Sequence, residues 1–510
     1  MSGLDRLIGV FSPQTELRRL QARAAVDIWR QHQATRNYEG AKAPRRGWFS
    51  SASSPNAVIA PAMKPLRDRA RDLVRNTPMA RVPDVLTAHI VGTGIVPVCA
   101  TGNKTLDKKV NRLFNEWTET CLIGGEMDYY GVQALMVRSM VEGGESLMRF
   151  LPRGATDKRP VPLALRVLEG DQIDDSRLAT LPHGKGNAVT LGIEHDAEGE
   201  RAGYWLRKTD PQWPGGTSSL QSVFVPAEDM VHMYRTLRIG QVRGVSWFAP
   251  VMLTARDQAD YLEAVLIKAR TEACFTGAIE STDVGMPGNL AAKNRAEAGA
   301  EKRPPAMEVA PGTFPRLDPG EKMIFFQGTG NASFEPFNLQ ASMSIAAGVW
   351  LTYDQLSGDL RQANYSSLRA GKIEFRALVK QFQQHVVIRQ LCKPTWRRFI
   401  AFAILAGKIP MRAGGYPCNW IAPGFEPIDP LKDLKADILA VRSGRMTWGE
   451  FVAEWGNDPA TQLEAIKQFN AEMDAAGVVL DTDPRKVSAS GMAQMFTEKD
   501  GGDAASSSEA

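Results

Sequence analysis

Pro250-Val-Met-Leu-Thr-Ala-Arg-Asp-Gln-Ala-Asp-Tyr-Leu-Glu-Ala-Val-Leu-Ile-Lys-Ala-Arg-Thr-Glu-Ala-Cys-Phe275 is the most informative stretch of this chain. Proline suits a first helical turn, where its missing N–H would have no partner anyway. With Phe248 just ahead, the small or apolar positions Met252, Ala255, Ala259, Leu262, Leu266, Ala269 and Ala273 follow steps of alternately three and four. That spacing draws one narrow seam along a helix of roughly 38 Å, and its alanines let a neighbour approach closely. The pattern suits an ordinary core helix, or one packed beside copies of itself.

Outward from this helix, residues 277–336 lose regularity, with six prolines from Pro287 to Pro319, and read as a protruding insert. A second, shorter helix is expected from residue 338 to 351. A loop rich in Gly, Asp and Asn then runs over 352–365, and its length suits a functional segment. Next comes a long helix over 366–391, with Phe375, Leu378, Val379, Phe382 and Val386 on one face and Arg369, Lys372, Arg376 and Lys380 outside it. Pro394 is expected to kink or end it.

Upstream, helices are expected over 14–31, 66–75, toward Ile90, 113–117 and 129–141, with a Gly/Pro/Ser-rich arm over 37–65. Between residues 145 and 234, the segments beginning at Glu145, Leu163, Val189, Gly203 and Met230 are short, β-rich and bounded by turn signals, an antiparallel meander. The class is therefore α+β. Residues 431–478 read as a small acidic helical unit, and the Ser/Ala/Gly/Asp-rich tail as disordered.

The chain has 510 residues, 43% of them hydrophobic and 23% charged, enough for a sizeable core. The apolar run over 399–406 is far shorter than the roughly 18–20 residues of a membrane span, and the N-terminus lacks a secretory core, so a cytoplasmic chain is expected. Five cysteines form no metal-ligand spacing and read as reduced, buried thiols. The net charge of +4 conceals segregation: residues 1–82 carry 15 Lys and Arg against 6 Asp and Glu, 361–412 carry 11 against 1, and 413–510 carry 8 against 16. Such asymmetry points to polyanions or to acidic partner surfaces.

Catalytic signatures are missing from the sequence. Gly244-Val-Ser246-Trp-Phe248 lacks the closing glycine of a nucleophile elbow, and Phe402 stands where a phosphate loop ending at Gly407-Lys408 requires glycine. No two histidines lie at i, i+4. Asp171, Asp174 and Asp175 could hold a hard cation, or form a solvated turn between strands. The basic helix could face nucleic acid or meet acidic neighbours. No cofactor and no catalytic or metal-ligating residue is assigned.

Five blocks carry a resemblance: Leu66-Arg-Asp-Arg-Ala-Arg-Asp-Leu-Val-Arg-Asn-Thr-Pro78, Val91-Gly-Thr-Gly-Ile95, Arg243-Gly-Val-Ser-Trp-Phe-Ala-Pro250, Tyr353-Asp-Gln-Leu-Ser-Gly-Asp359 and Asn364-Tyr-Ser-Ser-Leu-Arg369. In this order they resemble the lambda-type family of tailed-phage portal proteins, over roughly residues 20–470. The resemblance implies a ring, usually of twelve subunits, at one capsid vertex, through which a terminase motor pumps double-stranded DNA that is later ejected into the tail. It implies a non-enzymatic chain in the virion, assembled in the host cytoplasm. Its implied partners are the terminase large subunit, a head-tail adaptor protein, the major capsid and scaffold proteins and the DNA, with no membrane.

The layout it implies is a flexible basic arm over 1–65, a wing over 66–245 and 366–430, stem helices over 246–276 and 337–351, and a clip over 277–336. A tunnel loop over 352–365, a crown over 431–480 and a tail over 481–510 complete it. Gln355, Ser357, Asp359, Arg361, Gln362 and Asn364 would face DNA, and the seam from Met252 to Ala273 would pack on copies of itself. A metal-dependent DNA-processing enzyme, or a portal-like scaffold in a prophage remnant or gene-transfer particle, are the competing readings.

Overall fold

The computed structural model describes residues 53–154, 156–176, 183–184, 186–207, 222–274, 278–281, 321–324, 334–361, 365–480, 483 and 485. The chain divides into a unit of residues 1–57, of which 53–57 are described, and a unit of residues 58–510. The helix expected over 14–31 and the tail beyond 485 lie outside the described residues.

Helix α1 (Pro55–Asn76) starts eleven residues earlier than expected and takes in the end of the segment read as an arm. Pro61 and Pro65 sit inside it, each removing one backbone hydrogen bond. Burial of Ile59, Met63, Ala70, Leu73 and Val74 along one face overrides that local cost. Helix α2 (Arg81–Ile90), strand β1 (Val96–Cys99), α3 (Lys104–Thr118) and α4 (Tyr129–Gly143) follow. Asn103 and Asp128 cap the last two by accepting N–H bonds from the first turn.

Two antiparallel sheets replace the single meander. One is ordered β3 (Leu163–Glu169), β2 (Glu145–Pro152), β8 (Met230–Tyr234). The other is β4 (Ala188–Thr190), β5 (Ile193–His195), β6 (Arg201–Arg207) and β7 (Ser222–Pro226). The strand expected to run on from Val189 is a hairpin instead. Leu191 and Gly192 both take positive φ, 50° and 79°, the requirement of a two-residue turn between right-twisted strands.

Helix α5 (Met252–Cys274) matches the opening stretch, and α6 (Phe334–Gly348) starts and ends before the expected bounds. Of the insert between them, β9 (Ala278–Ser281) and β10 (Glu321–Ile324) are described, as an antiparallel pair. The 352–365 segment is not all loop, since α7 (Tyr353–Ser357) occupies its first half.

Helix α8 (Tyr365–Phe382), a π-helical stretch (Gln383–Cys392) and α9 (Lys393–Leu405) form one unbroken helical run. Pro394 does not end it. The wider π turn precedes the proline and leaves it at the start of a fresh α segment, where its missing N–H is tolerated. Phe399 of α9 meets Phe114 edge-on at 4.9 Å, beside Trp117, Tyr129 and Trp396, in the helical core. Strand β11 (Cys418–Ile421) pairs with β1, and α10 (Pro430–Arg442), α11 (Trp448–Glu454) and α12 (Pro459–Ala476) make the acidic helical unit.

Candidate functional site

The turn leading into α5 is held by a buried ionic cluster. Gly144, in the left-handed region, ends α4 and delivers Glu145 to the first position of β2. Both Glu145 and Arg243 are buried. Arg243 donates to the carboxylate through Nε at 2.9 and 3.0 Å and through Nη2 at 2.5 Å, and the Gly244 N–H adds a bond at 3.0 Å. Arg67 Nη2 donates to it at 2.8 Å, and His232 Nε2 lies 3.0 Å away. Of the other guanidinium donors, those of Arg243 reach the carbonyls of Leu191 and Gly170, Arg67 Nε reaches that of Gly143, and Arg67 Nη1 reaches the Asp171 carboxylate.

Burial alone would push the Glu145 carboxyl up, but Arg243 and the His232 hydrogen bond outweigh it and hold it well below its ordinary value. Burial pushes His232 down to about 4, against the pull of Glu145, so its imidazole is neutral at pH 7 and Nε2–H is the donor. With its oxygens engaged by arginine, imidazole and backbone donors, Glu145 is an anchor, poorly placed to move protons.

Arg235, three residues beyond His232, sits in an aromatic cage. Its guanidinium lies 3.5 Å from the Trp350 ring centre, with Trp247 and Phe382 at 5.6 and 5.7 Å. Trp350 holds a φ of 66°, unusual for a bulky side chain. The cage thereby ties the start of α5, the end of α6 and α8 together, and burial draws Arg235 down to about 10.

The expected seam of α5 divides in two. Met252 and Ala255 are buried in the chain's own core near Ile345, Ala346 and Val349. Gln258 Nε2 donates to Asn338 Oδ1 at 2.6 Å and Ser342 Oγ at 2.8 Å, and Tyr261 meets Phe337 at 4.8 Å, so α6 covers this side. Farther on, Ala259 is half-buried, while Leu262, Leu266 and Ala269 are exposed. The side chain of Ala273 lies outside the described residues. Leu266 and its neighbour Ile267 are 49% and 54% exposed, an apolar surface that the single chain leaves open.

Four of the six expected DNA-facing residues are described. Gln355 accepts the Thr352 N–H at 3.0 Å, and its carbonyl accepts from Arg81 Nε at 2.6 Å. Ser357 Oγ donates to the Tyr353 carbonyl, and Asp359 accepts from Arg361 at 2.8 to 3.0 Å. The Arg361 side chain holds the Asp359 carboxyl well below the usual range. Gln362 and Asn364 lie outside the described residues.

Along α8, Arg369 pairs with Asp433 at 3.0 Å and Lys380 with Glu454 at 3.3 Å. Arg376 donates to the Glu426 carbonyl, and Lys372 is half-buried. The partners of the first three belong to the same chain, and they border a groove of about 1130 Å³ facing α10 and α11. The aspartates considered for a cation are not a solvated turn either. Asp171 accepts from Arg67 and Arg71 at 2.8 and 2.6 Å, Asp175 from Arg207 at 2.9 Å, and buried Asp174 from Ser176 at 2.6 Å. No cluster of three potential metal ligands occurs among the described residues.

Of the cluster residues, Arg67 and Arg243 fall in two of the five blocks set out above. Glu145 carried no sequence signal beyond opening a strand.

The fold is thus a mixed helix-and-sheet chain in which the helical pair α5 and α6 is set on a buried ionic anchor. The profile of the phage portal proteins of the lambda family matches residues 42–383, and the chain belongs to that family. The probable portal protein of Halomonas phage phiHAP-1 is 25% identical over 459 residues, spanning 85% of this chain and 86% of that one. Portal protein B of Escherichia phage lambda is 23% identical over 488 residues, spanning 85% and 88%. Among solved structures, a chain of the virion of a native gene transfer agent particle is similar at TM-score 0.43 and 14% identity, over 80% of this chain and all of that one.

Proposed function

We propose that this chain is the portal subunit of a tailed-phage particle, forming a closed ring at one capsid vertex for the entry and exit of double-stranded DNA. The observation that carries this beyond family membership is the open apolar side of α5, Leu262, Leu266 and Ala269, beyond the turns that α6 covers. Side-by-side helices about 9 Å apart, repeated twelve times, leave a bore near 24 Å, and six leave about 7 Å. Only the larger ring passes a duplex.

In this reading α5 and α6 are the stem, and residues 277–336 the clip that docks the terminase large subunit during packaging and a head-tail adaptor protein afterwards. The wing is residues 66–245 and 366–430, and residues 431–480 are the crown. The basic arm over 1–65 meets capsid, scaffold or DNA. The 352–365 segment faces the channel. Asp359 and Arg361 within it are already paired with one another, so each gives a passing phosphate only a weak, replaceable contact, which suits movement. Among the described residues no helix is long and apolar enough to cross a membrane. The aspartates required by a DNA-processing enzyme are committed to arginines and Ser176.

Native mass spectrometry of the purified chain, alone and with scaffold protein, tests the proposal. A closed oligomer of about twelve subunits is expected; a monomer under both conditions contradicts it.

A further inference from the structure

Cys99 closes β1 and Cys418 opens β11, and the two stand directly opposite in the antiparallel register. The Ala100 N–H donates to the Pro417 carbonyl at 2.8 Å, while the Cys99 N–H turns aside to Asn111 Oδ1 at 2.9 Å. That is the bonding around a non-hydrogen-bonded pair, in which opposed Cα atoms approach to about 4.5 Å and both side chains project from one face. A disulfide requires Cα atoms roughly 4.4–6.8 Å apart, so this pair needs no backbone movement to close.

Both thiols are free, Cys99 buried and Cys418 half-buried. We infer that Cys99 and Cys418 are a disulfide-forming modification site, closed by a low-molecular-weight disulfide and stapling the β1 edge of the fold to the β11 return. The more accessible Cys418 thiolate attacks one sulfur of the oxidant and releases one small thiol. The Cys99 thiolate then attacks the Cys418 sulfur of the mixed disulfide and releases the second. One small disulfide is reduced to two thiols, which carry away the two cysteine protons.

Burial pushes both thiols up to about 12, with Asp107 adding to the rise at Cys99 and Lys393 opposing it at Cys418. Thiolate is therefore scarce at neutral pH and closure is slow, so a reducing cytoplasm keeps the pair open. Cys392, buried in the π-helical stretch near Cys418, is the competing partner.

The full-length protein is incubated with excess oxidised glutathione at pH 8.5, alkylated, digested without reduction and mapped by mass spectrometry. A Cys99–Cys418 linked peptide, lighter by two hydrogens and lost on reduction, is expected, with a melting temperature several degrees above that of the reduced protein. Cys418→Ser should abolish both signals and Cys392→Ser should retain both. The inference is overturned if both cysteines remain alkylatable after prolonged oxidation. It is equally overturned by a link from Cys418 to Cys392, or by glutathione persisting on Cys418 with Cys99 free. The wild-type map decides the matter even where a variant folds poorly.

Discussion

Arg243 reaches Glu145 from 98 positions away and donates three hydrogen bonds to its carboxylate, with both side chains shut off from solvent. The pair fixes the chain just before α5. Removing Arg243 takes three donors from a buried carboxylate and leaves Arg67 as its one ion-pair partner among the described residues, a loss of about 3–5 kcal/mol. Arg243→Met should therefore lower stability by that amount in urea denaturation, and a loss under about 1 kcal/mol would count against the anchor.

His232 makes the same cluster sensitive to acid. Its folded value, about 4, lies below the ordinary 6.5, so its contribution is complete above pH 6.5 and disappears as pH falls toward 4. Glu145, also depressed, acts in the same direction at lower pH. At 1.36 kcal/mol per pH decade the His232 interval amounts to about 3 kcal/mol. Denaturation midpoints at pH 7, 6, 5 and 4.5 should fall progressively, and His232→Gln should flatten the decline.

Gly348 closes the base of the helical pair. A Cβ added there would stand 2.2 Å from Cγ1 of Val251, a buried and β-branched side chain with little room to turn. Gly348→Ala should cost about 1–3 kcal/mol by overpacking. Thermal melts should show partial recovery in the Val251→Ala, Gly348→Ala double variant.

Leu266 separates assembly from folding. Since it is half exposed in the single chain, Leu266→Asp should change chain stability by no more than about 0.5 kcal/mol while blocking ring formation in sedimentation velocity. Rings of the variant matching wild type in yield would show that this face does not meet a neighbour.

Helices with a strong apolar period are legible in the sequence: α4, α5 and the α8 stretch lie close to where spacing puts them. Strands marked by β-branched and aromatic runs are legible too, but not their division into two sheets, because β8, after the four strands of the second sheet, pairs back with β2. The hairpin at Leu191–Gly192 is hidden because it depends on a backbone conformation that leucine rarely adopts. The Pro61 and Pro65 breaks failed as signals since tertiary burial of Ile59 and Met63 outweighed them. Glu145 was invisible because a buried carboxylate is recognised by its partners, Arg67 and Arg243, which only folding brings together. On α8, charge alone could not tell a nucleic-acid face from one paired within the chain, and Asp433 and Glu454 supply partners for Arg369 and Lys380.

The central claim, that α5 walls a channel, is tested most directly by electron microscopy of the assembled protein at a resolution that traces helices. The account predicts Leu262 and Leu266 against a neighbouring copy around an open bore of about 24 Å. A reconstruction with no through-channel, or with those leucines facing bulk solvent in every copy, would contradict it.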